Sequence, residues 1–408
     1  VLVDQGISSL TNFLVTLYAM RTLSLPQFGV FSIVVGVYIV AYAVVRGLCV
    51  EVLLSSYASA SEGVRRVNAA RAVGATALLA TVVVSVSLAC LILPIGSQTK
   101  LTVIGASALL APILIQDAWR YYWFCGPTAW GAALNDAVCL AATCCGAAWL
   151  SWRHLSGVLP VLGIWAAGAA VGAVVASIQL RSLPDLRHGL RWVRVHRGVG
   201  LVLFASGFVS TASCRLVPVL IGWTAGLAQV GRVAASLAIL APINVLTTAS
   251  RVYLLPETAR RVEHDVSRLP RLMASFSVLL AALPMLALAY AVVPDGVGQW
   301  YAGHNWTAAG ECLLPIALWP ATSAPIMIVS CGLRASGHLR TMLRLDLLVG
   351  AAQISGATIG AALAGGYGAA WGVVAANVLT LLAGARTFRR LHRRDVERIR
   401  AGRDLVSA

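Results

Sequence analysis

Long apolar stretches recur along almost the whole chain, and nothing else in the sequence constrains the fold as strongly. They run at about 5–23, 28–53, 72–95, 101–118, 128–151, 157–180, 199–222, 226–249, 272–294, 311–331, 345–364 and 367–386. Crossing a hydrocarbon core takes about 20 apolar residues of α-helix, and each stretch meets or nearly meets that length. They are apolar on every face, as lipid-embedded helices are, and lack the single apolar stripe of a surface helix. The reading is an all-α polytopic membrane protein of about twelve transmembrane helices in two six-helix bundles. The last two stretches, joined by Gly365 and Gly366, read equally as a hairpin or as one long segment.

Composition agrees. Charged residues make up 11% of the 408 and hydrophobic residues 59%, whereas a soluble domain carries roughly 25% charged residues. The formal net charge of +16 raises the question of nucleic acid. Its distribution answers that question in favour of a membrane, because cytoplasmic loops collect Arg and Lys. With the N-terminus inside and twelve spans, the loops around residues 65–71, 120, 181–197, 251–271 and 334–344 and the tail from Arg386 fall on the inner side. They hold nearly all the basic residues, while the outer side receives Arg21, Lys100 and Arg153. A miscounted span would scramble this alternation. The expected organisation is a bundle at 1–180, a basic cytoplasmic linker at 181–198, a second bundle at 199–386 and a basic cytoplasmic tail at 387–408. A bacterial cytoplasmic membrane with both termini inside is the expected location. The two halves also echo each other weakly: Gly6 leads to Phe28-Gly29, and Gly207 to Val230-Gly231. Such repeats recur in secondary transporters.

Several chemistries are excluded by missing motifs. No Gly-x-x-x-x-Gly-Lys phosphate loop, His-Glu-x-x-His or Gly-x-Ser-x-Gly is present. The seven histidines lie in loops, at span edges or in the tail, leaving no buried His for a membrane transferase, and the short outer loops leave no room for an external glycan-ligase domain. The nine cysteines form no Cys-x-x-Cys pair and sit mostly in apolar runs, as packing residues do. No enzyme activity, cofactor or metal is expected. The first stretch lacks a basic n-region and a small-residue cleavage site, so it reads as a retained helix.

Ionisable residues inside spans remain. Each costs at least about 2.5–3.5 kcal/mol in lipid, so it should face a partner or a wet cavity. Arg46 and Arg215 lie deep in spans two and seven, and Arg232 lies early in span eight. With Asn12 they are the candidate binding residues for an anionic headgroup, since the guanidinium fork suits phosphate. For Arg232 and Arg21, near span ends, the competing reading is snorkelling or structural pairing. Asp4, Glu51 and Asp136 are candidates to carry a proton or sodium, with structural ion pairs as the alternative. Arg46 and Glu51, five residues apart, would sit about 140° apart on an α-helix, a poor intrahelical pair. Asn135 and Asn244 are further polar residues within spans. Asp117 and Arg120 read as a surface pair at a cytoplasmic edge. Pro112, Pro218, Pro242, Pro284, Pro315, Pro320 and Pro325 permit kinks. Gly168/Gly172, Gly222/Gly226 and Gly356/Gly360 have the spacing that lets helices approach closely.

Specific residues carry a resemblance. The opening DQGISSLTNF, with Arg21, the Phe28-Gly29 pair, Arg46 and Glu51, resembles the polysaccharide (O-antigen-type) flippases of the multidrug/oligosaccharidyl-lipid/polysaccharide exporter superfamily. The matching positions are Asp4, Gln5, Gly6, Ser9, Asn12 and Phe13. Residues 206–256 are similar to that family's seventh and eighth helices, although Cys214 stands where the family often has an Asp before Arg215. The resemblance implies a two-bundle fold that alternates access and moves a lipid-linked, pyrophosphate-bearing oligosaccharide from the inner to the outer leaflet. Its partners would be that glycan lipid, membrane lipids, a proton or sodium as coupling ion, and polysaccharide-assembly proteins. A drug or metabolite exporter of the same architecture is the first rival, expected to favour an acidic cavity. A membrane scaffold or glycan-modifying enzyme is the second.

Overall fold

The computed structural model describes residues 2–57, 60–88, 97–126, 130–241, 269–282, 284, 293–335 and 338–407. Among them there is helix and no strand. The expectations for Asn244, Pro242 and the loop arginines from Arg251 to Arg268 lie outside the described residues. The helices are α1 (Leu2–Thr22), α2 (Leu25–Val45), a π-helical turn (Arg46–Val50), α3 (Glu51–Tyr57), α4 (Glu62–Leu88), α5 (Ser97–Phe124), α6 (Trp130–Trp152), α7 (Val158–Leu180) and α8 (Leu186–Ala225). There follow α9 (Leu227–Ile239), α10 (Leu269–Ala282), α11 (Asp295–Ala302), α12 (Trp306–Glu311), α13 (Leu313–Ala335) and α14 (Leu339–Ser407). Among the described residues, seven helices are long and apolar enough to cross a membrane. Large apolar side chains face outward along them, among them Val86, Ile178 and Leu363. An aqueous surface would not tolerate so much contiguous apolar area.

The chain forms two compact units, Val1–Arg215 and Leu216–Ala408. In the first, α1 packs on α6, α6 on α7, and α5 on both α4 and α7. One buried cluster joins Cys49, Leu53, Val73, Trp119, Tyr122, Leu180 and Trp192, so the π turn, α3, α4, α5, α7 and the start of α8 share a core. Local signals explain the boundaries. At the start of α2, Gln27 reaches back to accept the Ser24 N–H at 3.1 Å, and Pro26 occupies the first turn. The basic stretch expected as a linker is mostly helical. Only residues 181–185 lie outside helix, and Asp185 caps α8 by accepting the His188 N–H at 3.2 Å. At 40 residues, α8 is about 60 Å long, twice the thickness of a hydrocarbon core. Its basic first turns therefore project beyond the apolar zone.

In the second unit, α13 packs on α14 and α10 around Met273, Ile328, Leu333 and Phe388. The long run α14 is two helices. Its backbone breaks at Ala364 and Gly365, where φ of Gly365 is +60°, a conformation that glycine adopts without a Cβ clash. A Cβ on Gly356 would strike the backbone of Gly372, and one on Gly360 that of Gly368. The two arms therefore form a close antiparallel hairpin, which is the hairpin of the two readings open at Gly365-Gly366.

Candidate functional site

The most concentrated chemistry in the first unit is a buried charge cluster around Arg120. Residues 116, 117 and 120 share one side of α5, and Asp4 and Ser8, four apart, share one face of α1. Asn135 and Asp136 enter from α6. Arg120 Nη2 donates to Asp4 Oδ2 at 2.5 Å and lies 3.2 Å from Asp136 Oδ2, while Nη1 reaches Asp117 Oδ1 at 2.8 Å and Ser8 Oγ at 3.2 Å. Gln116 Nε2 donates to Asn135 Oδ1 and Asp136 Oδ1, both at 2.8 Å. The Asn135 amide donates to the Gly172 carbonyl. A Cβ at residue 172 would come within 3.0 Å of Gln116 Cγ, so the Gln116 side chain would have to shift.

All four charged groups are buried: Asp4 is 0% exposed, Asp136 3%, Arg120 4% and Asp117 7%. Three carboxylates thus share one guanidinium. Full ionisation would leave two uncompensated negative charges, which a buried site does not support without a proton or a second cation. Asp136 Oδ2 sits near the guanidinium but accepts no hydrogen bond. Asp136 is one of the residues around a cavity of about 30 Å³, also lined by Thr11, Asn12 and Tyr38, enough for one or two waters. Among the described residues, no group of three or more His, Cys, Asp or Glu has metal-binding geometry.

The structure corrects the expectation for Arg120, which is no surface residue. The apolar run ends near residue 118, yet α5 continues to Phe124 and carries Arg120 into the core. It brings together Asp4 and Asp136, two of the three candidates for ion coupling, and sets Asn12 at the rim of their cavity. Glu51 lies elsewhere. The expectation that Arg46 and Glu51 point apart is also corrected. The stretch Arg46–Val50 is π-helical, and the Glu51 N–H bonds the Arg46 carbonyl, an i→i+5 bond. Residues five apart then stack, and Arg46 Nε meets Glu51 Oε1 at 2.6 Å. The Arg46 side chain remains 49% exposed.

Arg215 is exposed, and its carbonyl approaches Gly36 of α2. Gly47 abuts Phe204 and Gly200 abuts Leu48, so α2 and α8 run antiparallel with residue 36 beside 215 and 47 beside 204. That register offsets the Arg46 and Arg215 backbones by about 15 Å along the helices, too far for one diphosphate to span them without help from long side chains. Arg232, another candidate for the headgroup, is engaged by Glu311 at 2.7 Å. The second unit has its own polar core: Gln353 donates to Asn377 at 2.8 Å, and Asn377 donates to Thr322 at 3.1 Å and Ser323 at 2.9 Å. Among the described residues it carries no charge.

No family model matches the chain, and no curated protein matches it significantly. Solved structures do. A multidrug resistance MATE family transporter of the MOP superfamily, in an inward-facing conformation, is 14% identical and aligns over 96% of this chain and 98% of its own, with a TM-score of 0.72. The lipid II flippase MurJ, inward closed, is 12% identical over 95% of this chain and 86% of its own, with a TM-score of 0.71. A MOP superfamily transporter from Pyrococcus furiosus is 13% identical over 96% and 93%, with a TM-score of 0.54. The chain has the fold of these transporters. At such identities the likeness shows architecture, an all-α membrane fold of twelve helices, and leaves cargo and ion to be argued from this chain's own residues.

Proposed function

We propose that the protein is a proton-coupled transporter that carries a lipid-linked, pyrophosphate-bearing oligosaccharide from the inner to the outer leaflet of a bacterial cytoplasmic membrane by alternating access. The observation that carries the coupling is the Arg120 cluster. Three buried carboxylates share one guanidinium beside a small cavity, so the charge balance changes with each proton bound or released. Asp136 is the proposed carrier, Asp4 and Asp117 share its field, and Asn12 and Thr11 line the access. The cargo reading rests on Arg46, which keeps half of its side chain exposed despite its pairing with Glu51. Polysaccharide-assembly proteins are the proposed partners, and the distribution of arginine supports a cytoplasmic position for both termini.

One observation favours the rival exporter reading. Glu51 neutralises Arg46, which leaves less positive charge for a pyrophosphate. Reconstituted vesicles separate the two. Under an imposed pH gradient the wild type should move a fluorescent lipid-pyrophosphate-sugar, and Asp136→Asn should abolish the response to the gradient. Transport of a cationic dye with no movement of the lipid would replace the flippase reading with the exporter. Equal transport by Asp136→Asn, or dependence on sodium in place of pH, would remove the proposed proton site.

A further inference from the structure

A second cavity in the first unit has no part in that reading. It lies where the basic first turns of α8 meet α3 and α4, and it encloses about 300 Å³. His188, Arg191, Trp192, Val195 and His196 follow i, i+3, i+4, i+7, i+8 spacing, so they form one stripe of α8, and all five line the cavity. Tyr57 of α3 and Arg71 of α4 complete the wall.

The wall is built and ordered by its own contacts. The Trp192 ring is 3% exposed, and its indole N–H donates to the Cys49 carbonyl at 3.1 Å. His196 Nδ1 donates to the Trp192 carbonyl, and its Nε2 meets the Tyr57 hydroxyl at 3.0 Å. The His196 and Trp192 rings stack with centroids 4.1 Å apart. Arg71 is held by Asn68 at 3.3 Å; its buried Nε has no hydrogen-bond partner, and the nearest carboxylate oxygen, of Asp185, is 4.0 Å away. Among the described residues no carboxylate lines the space, and Asp185, outside it, holds the His188 ring through Nδ1 at 2.8 Å.

We propose that this cavity binds a phosphate group. Two guanidiniums and the His188 imidazole converge from α4 and α8. A tetrahedral oxyanion can accept from several directions at once, whereas a planar carboxylate would leave part of this donor set unused. Arg71 and Arg191 supply the charge and His188 offers its Nε2, while His196, with both nitrogens engaged by the Trp192 carbonyl and the Tyr57 hydroxyl, closes the wall. The apolar part of α8 begins near Val199, so the stripe lies about 5–15 Å outside it. That is the depth of lipid phosphates and just past it. Leu190, beside the stripe, is 68% exposed, which suits contact with a bilayer surface. The ligand is therefore an anionic phospholipid headgroup or a soluble phosphate ester, and the chemistry of recognition is the same for both.

The test uses the full chain purified in neutral detergent. Native mass spectrometry counts retained phosphatidylglycerol against phosphatidylcholine, and calorimetric titration measures inorganic pyrophosphate. Arg71→Gln and Arg191→Gln remove cavity charges. Arg187→Gln and Arg194→Gln remove the same charge from exposed positions of α8 that do not line the cavity. Arg191 is itself exposed, so its variant folds even if that of Arg71 does not, and melting temperature checks both. The expected result is tight binding of one probe, weakened about tenfold or more by each cavity variant and unchanged by the two controls. Retention of phosphatidylglycerol alone identifies the lipid source, and binding of pyrophosphate alone the soluble one. Equal loss in all four variants would mean diffuse surface charge and would overturn the site, as would binding of neither probe.

Discussion

Replacing Arg120 by Gln removes the one cation shared by Asp4, Asp117 and Asp136. The guanidinium is 4% exposed and makes ion pairs of 2.5, 2.8 and 3.2 Å. Breaking a buried pair from one side costs about 3–5 kcal/mol, because the remaining charge is stranded. Each kcal/mol lowers the melting temperature of a 150–250-residue unit by about 2–4 °C. The first unit spans Val1–Arg215, so its transition should fall by roughly 6–20 °C. The same principle predicts rescue. Adding Asp4→Asn and Asp136→Asn to Arg120→Gln replaces most of the ionic cluster with neutral groups of similar shape, and such replacements are often neutral for stability. The triple variant should recover most of the lost melting temperature, and the recovery should exceed the sum of the single effects. Scanning calorimetry in detergent, with tryptophan fluorescence as a second probe, measures this. If Arg120→Gln melts with the wild type, or if the triple variant is less stable than Arg120→Gln alone, the account of a charge-balanced cluster fails.

Other outcomes follow from the same geometry. Gly47→Ala would bring a Cβ within 2.5 Å of the Phe204 Cα in α8, so it should cost about 1–3 kcal/mol by thermal melting. Arg232→Ala breaks a pair that is 37% and 54% exposed and should change stability by less than about 1 kcal/mol; a large transport defect without loss of stability would support Arg232 as a cargo residue, and unchanged transport would remove it. Partial desolvation alone would raise the Asp185 carboxyl. The hydrogen bonds from the His188 ring and N–H, with the charges of His188 and Arg71, hold it below the usual carboxylate range. Its capping contribution is thus complete at neutral pH and is lost as pH falls below the ordinary Asp value and through the lowered one. Asp185→Asn should remove that acid dependence at a cost of about 1 kcal/mol or less, read from melting curves between neutral and acidic pH.

The apolar runs were long enough to reveal the fold class, and the pairing of Gly356 and Gly360 with close helix approach held because small residues act through backbone distance alone. The charge cluster was harder to see. Asp4 and Asp136 stood out as acids inside spans, but their shared partner did not, because Arg120 lies beyond the point where hydropathy drops. A signal did exist: Gln116, Asp117 and Arg120 make a polar stripe at helical spacing, longer than a helix edge requires. The contact between Arg46 and Glu51 was hidden for a different reason. In α-helical geometry a spacing of five splays two side chains apart, and no composition rule announces a π turn. The phosphate cavity was hidden by the opposite bias, since arginines at 187–197 were fully accounted for as markers of membrane orientation.

The π turn has a consequence that reaches past the pair it creates. By absorbing one surplus residue at 46–50 it holds the phase of everything after it, including Tyr57, whose hydroxyl meets His196. Were the turn to tighten to α-helix with every residue kept, α3 would rotate by about 100°, swinging Tyr57 out of the cavity wall and Glu51 away from Arg46 in the same stroke. Two sites on one helix are thus geared to a single bulge, and a rearrangement that smoothed it could not disable one and spare the other.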